Sequence, residues 1–383
     1  MKILFIQWSS IGQKDLEEAF IQEGHSLIFA KFTANELQYG DVSNIDDTLT
    51  ALVSKTKPEI VFTVDYFPSV TNFCSKQKLR YISWIYDSPY DWMYFTSILD
   101  PCNVVYMLDK EICLEFQRAG ISHVHYLPMA ANIERLDTIT IDLPLIYKIA
   151  FVGALYLEND TFSKGADILT SYAKGYVDAL VATQLKISGY NFISELLDPI
   201  LGELCRVYQR LPLEGDMRTD NFFCTESIIN PWISGVERID LLEAVTQRYS
   251  LDLFTHYKDL HMPNLHNHGT VNYYREMPRV FKQSKINLNI SRRGMKSAVP
   301  LRCFDIMGAG GFLLSNFQAG FLDLFVPGED FIYYENKEDM LQKIGYYLKH
   351  DKERNEIAKN GHDKIASKHT YRHRVREMLD SLK

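Results

Sequence analysis

Short apolar runs alternate with amphipathic segments of helical period through the first third of the chain. Residues 2–8 and 58–65 are apolar runs typical of strands that are buried on both faces of a parallel sheet. Between them, residues 14–23 have the spacing of an amphipathic helix. Further strands are predicted at 80–85 and 103–107. Because strands and helices keep alternating, the pattern predicts an α/β domain with a doubly wound parallel sheet.

The same pattern starts again in the second half of the chain. Lys148-Ile-Ala-Phe-Val-Gly is similar to the opening Lys2-Ile-Leu-Phe-Ile, so we expect a second, similar domain. A length of 383 residues agrees with two domains, because it exceeds what one hydrophobic core usually serves. The remaining segments are predicted from their spacing as a connector of low order at 132–144, a helical insert at 162–246, and strands at 251–256, 268–274, 285–290 and 312–314.

The stretch 284–316 predicts a strand, a cationic loop, a helix and a second strand. Pro300 suits the first position of that helix and leaves the other amides of the first turn available to an anion. Residues 281–312 contain one acid, Asp305, and six basic residues: Lys282, Lys285, Arg292, Arg293, Lys296 and Arg302. In a chain of net charge -8, this local reversal indicates a polyanionic ligand such as a diphosphate. Charge counting alone favours a solvated face with a structural turn.

Composition excludes several other classes of protein. With 46% hydrophobic and 23% charged residues, the chain is typical of a globular protein, and no apolar run is long enough to span a membrane or to form a signal sequence. Its mild acidity argues against a nucleic-acid binder. The six cysteines are scattered singly, and Cys303 is expected to be a buried thiol. We therefore expect a cytoplasmic protein.

No metal site or cofactor is expected from the sequence. His261, His266 and His268 lack a completing set of cysteines or carboxylates. The adjacent acids Asp46-Asp47 are predicted to cap a helix start. The chemistry of any phosphate ligand is therefore expected to depend on side-chain cations and helix amides, without a metal ion.

Several segments resemble a known family. The run from Val299 to Leu314, Val-Pro-Leu-Arg-Cys-Phe-Asp-Ile-Met-Gly-Ala-Gly-Gly-Phe-Leu-Leu, resembles the donor-site signature of the CgeB-like glycosyltransferases, which are related to the group 1 transferases. The similarity extends to residues 126–132, 151–156, 325–330 and 369–374. This resemblance implies a GT-B fold: two Rossmann-like doubly wound domains that face a central cleft.

The resemblance also implies how the domains are used. Residues 1–145 would form the acceptor-side domain, and residues 146–350 the donor domain with its helical insert. Residues 351–383 would be helices that return toward the N-terminal domain. The residues implied to bind a nucleotide-diphosphate sugar are Gly153, Tyr273, Arg292, Arg293, Lys296, Arg302 and Asp305.

Two positions bear on the mechanism. The resemblance implies that Asp305 binds the ribose hydroxyls, but Ser297 stands where many retaining group 1 enzymes have a glutamate, so the stereochemical outcome stays open. Asp87, at a predicted strand end, is the candidate general base that takes the proton of the acceptor. Ordinary turn chemistry in Asp-Ser-Pro explains Asp87 equally well, and Asp65 is a weaker rival for the role of the base.

The sequence therefore predicts a metal-independent glycosyltransferase of a bacterial glycan or glycoprotein acceptor. Two alternatives stay open. The first is a nucleotide-sugar epimerase of the same fold, which would need no acceptor. The second is a catalytically silent subunit that binds the sugar nucleotide without transfer.

Overall fold

The protein divides into two compact α/β units. The computed structural model describes residues 1–40, 42–141, 145–157, 160–380 and 382. Unit 1 comprises Met1–Ala131, Pro212–Arg218 and His369–Lys383, and unit 2 comprises Asn132–Leu211 and Thr219–Lys368. Within the described residues, no helix is both long and apolar enough to cross a membrane.

Unit 1 contains a six-stranded, fully parallel sheet with the order β2-β1-β3-β4-β5-β6. Its strands are β1 Lys2–Gln7, β2 Ser26–Lys31, β3 Ile60–Val64, β4 Arg80–Ile85, β5 Asn103–Met107 and β6 Val124–Tyr126. All five side chains of β3 are buried, as expected for a strand covered by helices on both faces. The order of the strands reverses between β1 and β3, which is where ligands bind in many open α/β sheets.

Among the described residues, six helices flank this sheet. They are α1 Gln13–Gln22, α2 Ala34–Tyr39, α3 Val42–Thr56, α4 Pro68–Gln77, α5 Lys110–Arg118 and, from the C-terminal end of the chain, α17 Tyr371–Asp380. The last helix is held by polar contacts as well as by apolar packing. Arg372 and Arg376 both form ion pairs with Glu23 beside α1, and the buried Arg374 donates to the carbonyl of Pro128.

Unit 2 contains a second six-stranded parallel sheet, with the order β12-β11-β10-β7-β8-β9. Its strands are β7 Tyr147–Val152, β8 Leu251–Phe254, β9 Leu265–Asn267, β10 Ser284–Asn289, β11 Leu313–Asn316 and β12 Ile332–Tyr334. The central strands β7 and β10 are adjacent, with Ile286 opposite Ile149 in the register. Both side chains are fully buried in the main hydrophobic core of this unit.

The helices of unit 2 fall into two groups. Five helices cover the sheet or follow it: α12 Met277–Gln283, α13 Leu301–Gly308, α14 Phe321–Leu324, α15 Lys337–Tyr347 and α16 Asp351–Lys368. The helical insert and the helices next to it are α6 Ile133–Thr138, α7 Thr161–Ala166, α8 Ser171–Gln184, α9 Asp198–Val207, α10 Asp220–Phe223 and α11 Asn230–Thr246. The insert has its own apolar core, which includes Val177, Leu204 and Ile233.

A π-helical segment, Cys224–Ile229, joins α10 to α11. Its wider turn changes which backbone carbonyls are available outside the helix, and such segments are frequent at functional sites. Here the carbonyl of Glu226 accepts a hydrogen bond of 2.8 Å from Nη2 of Arg292, in the predicted cationic loop. The insert is therefore linked directly to the loop that follows β10.

The structure corrects three local predictions. The connector predicted at 132–144 contains α6, which begins because the Asn132 side chain caps it by accepting from the amide of Arg135; residues 142–144 lie outside the described part. The segment 268–274, predicted as a strand, is irregular up to residue 272 and enters a turn at 273, because Asn267 and Asn272 accept hydrogen bonds from nearby backbone amides. Asp46 lies inside α3 and forms an ion pair with Lys76, so the capping explanation was wrong.

Candidate functional site

The carboxyl ends of β7 and β10 position the loop that was predicted to bind the donor. Buried polar side chains fix the start of this loop: Nδ2 of Asn289 donates to Oγ of Ser315 at 3.0 Å, and the amide of Ser291 donates to Oδ1 of Asn316 at 2.8 Å. The helix α13 then begins after Pro300, which lies one position before the helix and not inside it, and no side chain caps this helix. In the first turn of α13, the amide of Cys303 donates to the carbonyl of Pro300 at 2.9 Å.

Arg302 is the basic residue at the centre of this site. The side chain is half-buried, and its Nε atom is buried without a hydrogen-bond partner. Within the described residues, the guanidinium forms no hydrogen bond and no ion pair. Burial lowers the pKa of Arg302, and the nearby acid Asp305 only partly opposes this effect. A desolvated cation that lacks a partner is a favourable place for an anion.

Gly153 makes room for this guanidinium. It follows β7 directly, and a Cβ atom at this position would lie 3.0 Å from Nη1 and 3.3 Å from Cζ of Arg302. Both distances are shorter than ordinary van der Waals contact, so any larger residue would displace the guanidinium. Gly153, which was predicted to contact the donor, therefore leaves the space that the guanidinium of Arg302 occupies.

Arg238 is a second buried arginine at the same strand ends, and the sequence did not single it out. It lies on α11 and is 4% exposed. Its guanidinium donates to the carbonyl of Ala154, after β7, and to the carbonyl of Ile290, after β10. Burial lowers the pKa of Arg238, and the positive charge of Arg302 lowers it further. The two guanidinium groups are therefore close enough to repel each other.

Asp305 and Tyr273, two of the predicted donor residues, are brought together. The hydroxyl of Tyr273 donates to Oδ1 of Asp305 at 3.0 Å, and the carboxylate is almost completely buried. The guanidinium of Arg135, on α6, lies 5.6 Å from the ring centroid of Tyr273. Asp305 is in the same turn of α13 as Arg302, so a carboxylate and a cation lie side by side at the start of this helix.

The other three predicted cations have different environments. Arg293 forms a bidentate ion pair with Glu237, at 2.8 Å from Nε and 2.5 Å from Nη2, and Arg292 is bound to the carbonyl of Glu226. These two side chains hold the loop against α11 and the π-helical segment. Lys296 is exposed at the far end of the loop. Of the four cations predicted to bind the donor, only Arg302 is half-buried and also forms no hydrogen bond or ion pair in the described part of the chain.

Asp87, the predicted general base, lies in unit 1 at the carboxyl end of β4 and is exposed. Asp65, which directly follows β3, is 2% exposed and has a positive φ of 55°. Oδ1 of Asp65 accepts the amide of Tyr86 at 2.8 Å, and the amide of Asp87 also donates to this carboxylate. Burial, and then the charge of Asp87, raise the pKa of Asp65 well above its ordinary value.

A second buried acid supports the same turn. Oγ of Ser88 donates to Oδ2 of Asp109 at 2.8 Å, and both side chains are buried. The turn that carries Asp87 is therefore fixed from both sides, by acids that follow β3 and β5. Such fixation is what an exposed catalytic carboxylate at a strand end requires.

Two further kinds of chemistry would depend on metal-binding side chains and on reactive thiols. In the part of the chain that the structure describes, no group of three histidine, cysteine or acidic side chains is arranged to hold a metal ion. Cys303, on α13, is fully buried, and burial raises the pKa of its thiol to about 12. A thiol with so high a pKa is almost entirely protonated near neutral pH and is a poor nucleophile.

Comparison with known proteins was consistent with these observations. Residues 238–380 match the family described as Glycosyl transferase-like. No curated protein is significantly similar to the chain in sequence. Solved structures of similar fold include a sucrose-phosphate synthase of Thermosynechococcus elongatus, with a TM-score of 0.59 and 8% identity over 100% of this chain and 98% of that one.

Two further structures contain a nucleotide. Anabaena HepE, in complex with UDP and glucose, has a TM-score of 0.53 and 8% identity over 100% of this chain and 99% of its own. The T4 phage enzyme BGT, in complex with its UDP-glucose substrate, has a TM-score of 0.51 and 10% identity over 100% of this chain and 98% of its own. At such low identities, the likeness defines the fold alone.

The protein thus has the GT-B fold, and the segment 238–380, which is similar in sequence to the glycosyl transferase-like family, contains Arg238, Arg302 and Asp305. The fold class predicted from the sequence is confirmed, and the family match of residues 238–380 supports the predicted class of enzyme. The narrower resemblance to the CgeB-like group stays a prediction.

Proposed function

We propose that the protein transfers a sugar from a nucleotide-diphosphate sugar to a glycan or glycoprotein acceptor in the cytoplasm, without a metal ion. The observation that carries this proposal is Arg302: a desolvated guanidinium that has no partner in the described residues, beside Gly153 and at the start of α13. A departing nucleoside diphosphate needs positive charge at its phosphates, and a fixed cation with helix amides supplies it.

The neighbouring carboxylate suits the rest of the nucleotide. Asp305 accepts a hydrogen bond from the hydroxyl of Tyr273, and a carboxylate is an acceptor of the kind that ribose hydroxyls require. The solved structures of HepE and of the T4 phage enzyme contain UDP or UDP-glucose, which makes uridine nucleotides the first donors to test.

We assign the proton transfer to Asp87. During an inverting transfer, a base removes the proton from the acceptor hydroxyl as its oxygen attacks the anomeric carbon, and the diphosphate leaves from the opposite face. Asp87 is an exposed carboxylate on a turn that Asp65 and Ser88 fix in place, which supports this role.

Turnover of UDP-sugars tests the proposal. We expect release of UDP from the purified protein in the presence of acceptor, no loss of rate in excess chelator, and a loss of about 100-fold or more in kcat for Asp87→Asn with donor binding unchanged. Asp91→Asn, a change in an acid four positions later that pairs with Arg218, is the matched control.

Each competing function gives a different result. Conversion of the donor alone to an isomeric sugar nucleotide would identify an epimerase, and donor binding without any turnover would identify a silent binding subunit. Complete loss of transfer in chelator would contradict metal independence.

A further inference from the structure

Arg238 links the two strand ends that frame the site. Its Nη2 lies 2.6 Å from the carbonyl oxygen of Ile290, and its Nη1 is hydrogen-bonded to the carbonyl oxygen of Ala154. These carbonyls follow β10 and β7, which are neighbours in the sheet. Because one rigid guanidinium fork donates to both, it fixes the spacing of the two loops on which an anion would rest.

The positive charge of Arg238 is not neutralised by these contacts. Carbonyl oxygens satisfy its N–H groups but carry no net charge, and its Nε atom is buried without a hydrogen-bond partner. The adjacent acid, Glu237, is committed to its bidentate pair with Arg293. The ring of Tyr156, 4.5 Å from the guanidinium carbon, offers only a cation–π contact.

Arg238 and Arg302 therefore place two positive charges, neither of them in an ion pair within the described residues, along one short segment, Gly153 and Ala154. Nη1 of Arg302 lies against Gly153, and the guanidinium of Arg238 is bound at Ala154. Two like charges in a desolvated site destabilise each other unless an anion lies between or beside them. An anion of higher negative charge should therefore bind to the two cations more tightly than an anion of lower charge.

We propose that Arg238 is a positioning residue of the donor site, which selects a diphosphate over a monophosphate by fixing both strand ends and by adding a second buried positive charge. This inference rests on the proposed function, since it concerns the same site. It assigns Arg238 to the donor site and states which donors bind. Sugars linked to the nucleoside through a diphosphate bind tightly, and sugars linked through a single phosphate bind weakly.

The experiment compares UDP with UMP, and inorganic pyrophosphate with orthophosphate, by calorimetric titration. Three variants separate charge from hydrogen bonding. Arg238→Gln is neutral but keeps N–H donors for the carbonyls, Arg238→Lys keeps the charge, and Arg279→Met removes an exposed arginine of α12 as a control. Circular dichroism and thermal unfolding establish that each variant is folded.

We expect the native protein and the control to prefer UDP over UMP, and pyrophosphate over orthophosphate. Arg238→Gln should lower that preference by about tenfold, because a charge acts more strongly on the more highly charged ligand. Arg238→Lys should retain the preference of the native protein for the more highly charged ligand to within about threefold. If the glutamine variant does not fold, the lysine variant decides: loss of the preference in a folded lysine variant contradicts the role of the charge.

Two results separate this inference from the proposed function. Equal losses for UDP and UMP in Arg238→Gln would show a merely structural role for Arg238 and overturn the inference, while the donor site itself would stand. Failure of the native protein to bind any of the four ligands would contradict the proposed function and the inference together.

Discussion

At the scale of single residues, the site contains charges that the folded chain does not neutralise. Arg302 was predictable from the sequence, because it lies in a cationic stretch at a helix start with Asp305 three residues later. Arg238 was not, because nothing in its local sequence indicates that α11 places it at the end of β7. The pairing of Arg293 with Glu237, 56 positions apart, could not be inferred from charge counting either.

Arg302 is expected to serve binding at the expense of stability. In Arg302→Met, an apolar chain of similar length replaces a desolvated cation without a partner in the described residues, so the free energy of unfolding without ligand should stay equal or rise by up to about 1 kcal/mol. Chemical denaturation of both proteins measures this difference. A loss of more than about 2 kcal/mol would mean that the guanidinium holds the fold together.

Asp65 should make stability fall as pH rises. Burial raises the pKa of Asp65 in the folded protein above the usual 3.8, so the folded state binds the proton more tightly than the unfolded state. The resulting stabilisation is complete below the usual pKa and is lost as pH rises from the usual to the raised pKa. Asp65→Asn keeps an oxygen to accept the Tyr86 amide and cannot ionise. We therefore expect the variant to be more stable than the native protein by about 1 kcal/mol or more at about pH 8.

The same comparison well below the usual pKa of 3.8 should show no gain, because the carboxyl of Asp65 is then protonated in both the folded and the unfolded state. Urea denaturation at the two pH values measures the change. A gain of equal size at both would contradict the assignment to ionisation, and Asp65→Ala should destabilise at either pH because the amide of Tyr86 loses its acceptor.

At the scale of elements, apolar strands were predicted well and polar turns were not. The strands β4 and β5 have the predicted bounds, because their side chains are almost all buried and the apolar run ends where the strand ends. The segment 268–274 was misassigned because Asn267 and Asn272 form local turns with their own side chains. The π-helical segment was not predicted, because it is too short to change the helical spacing of the apolar residues around it.

The docking of α17 in unit 1 gives a prediction at this scale. Hydrogen bonds from Arg376, and then from Arg372, lower the pKa of Glu23 below its usual 4.5. Because the pKa is lowered in the folded protein, this stabilisation is complete above the usual value and disappears as pH falls through the lowered one. Glu23→Gln should cost about 0.5–1 kcal/mol near neutral pH, a modest amount because both arginines are partly exposed.

Thermal unfolding of Glu23→Gln across a pH series measures this contribution. The difference from the native protein should disappear toward about pH 3. Glu18→Gln, on the exposed surface of α1, is the matched control. A cost that stays constant across the series would show that shape, and not charge, holds the two helices together.

At the scale of the whole molecule, the alternation of strands and helices predicted two doubly wound units, and both parallel sheets confirm it. This fold is shared with proteins that are 8–10% identical to the chain. It is therefore set by the burial pattern more than by particular residues. The proposed function depends on a few side chains at the strand ends, of which Asp305, Arg302 and Gly153 were predicted from the sequence.

The central claim is that Arg302 binds the diphosphate of a nucleotide-sugar donor, and titration calorimetry with UDP tests it most directly. We expect the native protein and Arg279→Met to bind UDP with the same affinity, and Arg302→Met to bind it at least about 100-fold more weakly while remaining folded. Undiminished UDP binding by Arg302→Met, or equal weakening in Arg279→Met, would contradict the account.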